Sequence, residues 1–129
     1  MAFDLDDLGD DVLAFLSDRH LATLTTVRAD GSPHVAPVGF GYDRTARLVR
    51  IITSPSTQKV ANADRNGRAA VCQVDGGRWL TLEGRVEVVR EPEQVAAAVA
   101  AYTERYRAPR ERPDRVALEI AVDRMMGRV

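Results

Sequence analysis

The sequence predicts a mainly β domain, an antiparallel barrel or sandwich with about three appended helices, and three observations lead there. Short apolar runs rich in Val, Ile, Leu and Thr recur along the chain, they are separated by compact turn signals such as Asp30-Gly31 and Asp75-Gly76-Gly77, and the helical stretches fall between them without a regular strand-helix alternation. A doubly wound parallel sheet would need that alternation. The 129 residues suit one domain, spanning 1–129, with one core.

The elements follow in order. Leu8, Val12, Leu13 and Leu16 recur at helical spacing behind an acidic start, predicting a short amphipathic helix over Leu8–Arg19. His20–Val27 reads as a strand, the Asp30-Gly31 pair as a hairpin turn, and His34–Tyr42 as the return strand. A turn at Asp43–Ala46 leads into a strand over Leu48–Thr53. Ser54-Pro55-Ser56-Thr57 then breaks the apolar pattern. A helix is expected over Gln58–Arg65, capped by Ser56 or Thr57 and stopped at Asn66-Gly67. Ala69–Val74 and Trp79–Val89 bracket the glycine turn as a second hairpin, with Gly84 marking a bulge or a close backbone approach. Glu91-Pro92-Glu93 opens an alanine-rich helix running to about Tyr106, and the Arg- and Pro-rich Arg107–Arg115 is a loop. Val116–Val122 alternates as the last strand. Six strands and three helices are therefore expected.

Composition excludes several classes. The formal charge of −1 and the scattered arginines give no nucleic-acid stripe. No apolar run approaches the ~18 residues of a membrane span and the acidic start has no basic leader region, so a cytoplasmic protein that binds neither membrane nor nucleic acid is expected. The single cysteine, Cys72, lies in an apolar run and is expected to be a buried, reduced thiol. Glycine-rich nucleotide loops, nucleophile elbows and metal-spaced Cys or His clusters are missing from the sequence, so no metal site is expected. His20 and His34 fall at strand ends. Chemistry, if present, is expected to rest on a bound cofactor.

One segment suits that role. From Ile51-Ile52-Thr53 through Ser54-Pro55-Ser56-Thr57 to Gln58-Lys59-Val60-Ala61-Asn62, a strand ends, hydroxyl residues turn the chain and a helix begins. Free N–H groups, hydroxyl donors and one ammonium gather there, as a phosphate would require. Lys and Arg total 18 and Lys59 is the only lysine. Spacing alone is met as well by a simple helix cap with Lys59 in solvent, the commoner arrangement. Arg78-Trp79 offers a guanidinium and a flat aromatic face after a turn, or equally a core or interface tryptophan. Pro37 and Gly39 inside Val35-Ala36-Pro37-Val38-Gly39-Phe40 mark an edge or a place where something approaches the backbone.

Taken together these residues resemble a known family. Leu13 to Thr26, Asp30-Gly31-Ser32-Pro33-His34-Val35, Gln58-Lys59 to Arg65, and Gln73 to Leu80 with Leu82-Glu83-Gly84-Arg85 are similar to the pyridoxamine 5′-phosphate oxidase-like split β-barrel proteins. Within that family they look most like the actinobacterial coenzyme F420-dependent reductases, including members that reduce biliverdin. The resemblance implies a six-stranded Greek-key split barrel that pairs as a homodimer with cofactor sites between subunits. It implies that Thr53, Thr57, Gln58, Lys59 and Asn62 hold the cofactor phosphate. The ring would lie along Pro37, Val38 and Gly39 near Ile51 and Ile52, with Arg78 and Trp79 arriving from the partner. Coenzyme F420 is the implied cofactor, with FMN as the alternative. The implied reaction is hydride transfer from the reduced deazaflavin to a conjugated small-molecule acceptor, with biliverdin as a candidate; a non-catalytic F420- or tetrapyrrole-binding protein is the other reading. Arg78 or the arginines of Arg107–Arg115 could pair with an acceptor's carboxylates. No catalytic side chain is singled out. The longer basic C-terminal region of the pyridoxamine oxidases proper is not seen, so oxidation of a vitamin B6 phosphate is not expected.

Overall fold

The structure is a computed structural model that describes residues 2–65 and 67–129. Three helices, α1 (Asp10–Ser17), α2 (Gln58–Arg65) and α3 (Pro92–Arg105), accompany seven strands. The strands are β1 (Ala22–Val27), β2 (Pro33–Val38), β3 (Gly41–Asp43), β4 (Leu48–Thr53), β5 (Arg68–Asp75), β6 (Arg78–Val89) and β7 (Val116–Arg128). They form one antiparallel sheet in the order β2-β1-β5-β6-β7-β4-β3. The Asn66 half of the expected Asn66-Gly67 helix stop lies outside the described residues.

The seventh strand arises because the expected single strand His34–Tyr42 breaks at Gly39-Phe40. β2 pairs with β1 at one edge of the sheet, whereas β3 pairs with β4 at the other. The two-residue break thus carries the chain from one sheet edge to the other and curls the sheet into a split barrel. Side chains opposite one another on paired strands share a face, and the inward set packs as one core that includes Leu24, Phe40, Val49, Ile51, Val71, Leu80, Leu82, Leu118, Ile120 and Met125.

β7 runs well past Val122 because its polar continuation is paired. Asp123 accepts from the Arg68 guanidinium at 2.8 Å, and Arg124 lies 3.8 Å from Glu83. The register slips between Glu83 and Gly84, where a Cβ on Gly84 would sit 1.9 Å from the Ala121 carbonyl oxygen. Only a glycine permits that approach, as expected of this position. The same alternation corrects the reading of Cys72. Val71 and Gln73 point into the core, so the free Cys72 thiol points outward and is half-buried.

α3 lies against β3, β4 and β7, with Ala98 buried among Val89 and Ala117. Its C-terminal end is fastened to the β2–β3 break. Tyr106 Oη donates to the His20 carbonyl at 2.6 Å and accepts from the Phe40 N–H at 3.3 Å, while Arg105 donates to the Asp18 and Phe40 carbonyls and to Gln73. No helix among the described residues is long and apolar enough to cross a membrane.

Candidate functional site

The barrel's split creates a groove. It is lined by Pro37, Val38 and Gly39 at the end of β2, by Ile52, Thr53 and Ser54 at the end of β4, and by Thr57 and Lys59 where α2 begins. Tyr102 from α3 and Pro109, Arg112 and Arg115 from the loop that follows complete a cavity of about 390 Å3. Strand termini supply the walls because β2 and β4 both stop where the chain must turn, which leaves backbone groups outside the ladder.

Hydroxyls and a cation gather where β4 gives way to α2. Thr53 Oγ1 lies 3.3 Å from Thr57 Oγ1, and the Thr57 hydroxyl donates to the Ser54 carbonyl at 3.1 Å. That hydroxyl is turned back toward Ser54. Lys59, in the first turn of α2, is half-buried, and among the described residues no carboxylate or hydrogen-bond acceptor pairs with it. Burial holds its ammonium below the usual lysine range, since desolvation disfavours the charged form. A half-buried ammonium without a counter-ion, beside hydroxyl donors, is suited to an oxyanion. Arg112 donates to the Ser54 hydroxyl across the groove mouth.

Seven of the twelve residues singled out in the sequence line this groove: Pro37, Val38, Gly39, Ile52, Thr53, Thr57 and Lys59. Ile51 lies behind them in the core, 1 % exposed. Asn62 is fully buried and internally satisfied. Its Nδ2 donates to Thr26 Oγ1 at 3.0 Å, and its Oδ1 accepts from Gln58 at 2.8 Å and Arg65 at 2.9 Å. Asn62 therefore ties α2 to β1, and Gln58, exposed at the start of α2, bonds Asn62; neither is among the residues that line the groove. Arg78 and Trp79 sit on the β5–β6 hairpin, outside the groove of their own chain. Arg78 pairs with Asp75 at 2.6 Å and covers the Phe15 ring at 4.8 Å, and Trp79 is 36 % exposed beside the exposed Val74.

Tyr102 was not visible as a site residue in the sequence. With Tyr106 it forms an i,i+4 aromatic pair, ring centroids 4.8 Å apart, on an otherwise alanine-rich helix. Both rings pack on Gly39. A Cβ there would come within 2.9 Å of each, so the backbone of the groove wall and the two rings fit only around a glycine.

A larger cleft of about 560 Å3 lies between α3 and β3–β4. Its cations are already committed. Arg50 pairs with Asp43 at 3.0 Å, Arg105 is hydrogen-bonded to Asp18, Phe40 and Gln73, and Asp43 and Glu104 line the space with negative charge. It suits a phosphate less well than the groove at Lys59.

This split barrel, with a groove between β2 and β4 suited to an oxyanion, is the architecture of a cofactor-binding domain, and the chain belongs to the pyridoxamine 5′-phosphate oxidase family, whose model matches residues 8–127. Among proteins of known activity it is 52% identical over 120 residues to the F420H(2)-dependent biliverdin reductase of Mycobacterium tuberculosis, covering 93% of this chain and 88% of that one. A solved structure described as an F420 reductase superposes with a TM-score of 0.75 at 26% identity, covering 92% of this chain and 98% of the other. The conserved hypothetical protein Rv2991 of Mycobacterium tuberculosis has a TM-score of 0.79 at 23% identity, over 95% of this chain and 85% of its own, a likeness of fold.

Proposed function

We propose that the protein is a homodimeric, cytoplasmic reductase that uses reduced coenzyme F420 to reduce biliverdin or a closely related conjugated acceptor. The observation that carries this reading is the uncompensated Lys59 ammonium beside the hydroxyls of Thr53, Ser54 and Thr57 in a groove with an apolar wall, in a chain 52% identical to a reductase that depends on F420H(2). The reduced deazaflavin, when bound, supplies a hydride to an electron-poor carbon of the acceptor, which takes up a proton separately.

The chain's own residues bind, orient and exclude water. Lys59, Thr53 and Thr57 hold the cofactor phosphate, and Pro37, Val38, Gly39 and Ile52 form a flat apolar bed for the ring. Ile51 supports that bed from the core, and Gln58 and Asn62 keep α2, and with it Lys59, at a fixed height above β1.

Dimerisation is supported by the outward face of the sheet. Pro37, Thr23, Cys72, Thr81 and Met126 form one cross-strand row, and Val74 and Trp79 extend the next. These side chains are small or apolar and at least partly open to solvent, with Val74 54 % and Trp79 36 % exposed and Val35 on the same face 58 % exposed. A second copy covering that face would bring its Arg78 and Trp79 toward the groove through Pro37. The reduced Cys72 fits a reducing compartment.

Fluorescence titration of the purified protein with F420 and, separately, with FMN tests the cofactor assignment. Saturable binding of F420 with FMN at least about ten-fold weaker is expected. A preference for FMN would move the protein to a flavin-dependent reaction on the same fold.

A further inference from the structure

A second cavity adjoins the groove at Tyr102. That ring is a wall of the cavity, which measures about 300 Å3 and is lined also by Arg19, His20, Leu21, Tyr106 and Arg107. Two guanidiniums, two phenol rings and an exposed leucine thus surround one space next to the bed formed by Pro37, Val38 and Gly39.

Two features mark it as a built pocket. Its floor is fixed, because the Tyr106 hydroxyl is held between the His20 carbonyl at 2.6 Å and the Phe40 N–H at 3.3 Å, and Arg19 donates to the Tyr106 carbonyl at 2.9 Å. One apolar and one cationic group of its lining are uncommitted. Leu21 is 61 % exposed, and Arg107 makes no hydrogen bond or ion pair with another described residue. The carboxylate nearest His20, Asp75 at 3.9 Å, is already engaged by Arg78 at 2.6 Å.

We infer that this cavity is the acceptor subsite, and that it selects a flat conjugated carboxylic acid whose ring edge lies against Tyr102 and Leu21 while its carboxylate pairs with Arg107 and Arg19. The inference rests on the proposed reductase reading, which places the cofactor ring on the other side of Tyr102. A planar guanidinium matches a carboxylate in two parallel hydrogen bonds, and a phenol ring beside an aliphatic wall suits a conjugated ring. Cofactor phosphate and acceptor carboxylate are then held on the two sides of Tyr102, and the acceptor's conjugated system reaches the cofactor ring past the edge of that side chain.

The test is an absorbance titration of the F420-loaded protein with biliverdin and with its dimethyl ester, in wild type, Arg107→Gln and Leu21→Gln. Wild type is expected to bind the diacid about ten-fold more tightly than the ester. Arg107→Gln should weaken the diacid about ten-fold and leave the ester and F420 unchanged, as the loss of a charge-assisted hydrogen bond requires. Leu21→Gln should weaken diacid and ester alike. The inference is overturned if wild type does not bind the diacid, if ester and diacid bind equally, or if Arg107→Gln binds the diacid within about two-fold of wild type. An intact diacid-to-ester difference without hydride transfer from reduced F420 overturns the reductase reading and leaves the subsite standing.

Discussion

Replacing Lys59 by glutamine separates binding from folding. The ammonium is half-buried in the groove with no partner among the described residues, so folding pays a desolvation cost that nothing in the chain repays. A phosphate would repay it through charge-assisted hydrogen bonds, each contributing about 1.5–3 kcal/mol, so Lys59→Gln should weaken F420 by roughly 10- to 100-fold. Thermal unfolding should show an unchanged or higher Tm. The pH dependence follows from the same burial. Because burial lowers the Lys59 pKa from 10.5, affinity should be constant at neutral pH and fall as pH rises through the free protein's value, below 10.5. Over the window between that value and 10.5 the unfolded chain binds the extra proton, so stability of the free protein should rise there. Lys59→Gln should abolish both trends. Fluorescence titrations across pH, paired with melting curves, read all of these. Unchanged F420 affinity, or a binding loss accompanied by a Tm drop of several degrees, would refute the reasoning.

Two further variants probe what surrounds the groove. Asn62→Ala strips buried Thr26 of its donor and leaves the Gln58 and Arg65 donors without their shared acceptor, so urea denaturation should show a loss of about 1–3 kcal/mol; a midpoint equal to wild type would contradict the bracing role. Trp79→Glu puts a charge on the outward apolar face, and sedimentation should show a folded monomer in place of a dimer, with weakened F420 binding. A wild-type monomer, or a variant that remains dimeric, would remove the case for that interface.

Much of this arrangement was legible in the sequence where local chemistry is decisive. β4 and α2 have the expected bounds, Leu48–Thr53 and Gln58–Arg65, because turn residues and a hydroxyl-rich break flank them on both sides. Gly84 reads correctly because its close approach to Ala121 is required by the pairing of its own strand. What escaped was set by distant packing. Pro37 and Gly39 read as an edge or a close approach, and β2 is an edge strand with two tyrosine rings packed on Gly39, but nothing within His34–Tyr42 announces that the chain changes partners there. Asn62 is a cofactor contact by the family resemblance, whereas the position of α2 over β1, which the sequence does not show, buries its side chain against Thr26. Cys72 sits in an unbroken apolar run, and such a run does not reveal which alternate residues face inward. Tyr102 could have been suspected from the aromatic pair ending an alanine helix, but not assigned to the groove.

The most direct test mixes the purified protein anaerobically with reduced F420 and biliverdin, and follows deazaflavin oxidation and biliverdin loss in the same sample. Protein-dependent consumption of the two in equal amounts, slowed in Lys59→Gln and unsupported by reduced FMN, is the predicted result. Consumption no faster than in the protein-free mixture, or turnover with reduced FMN in preference to reduced F420, would contradict it.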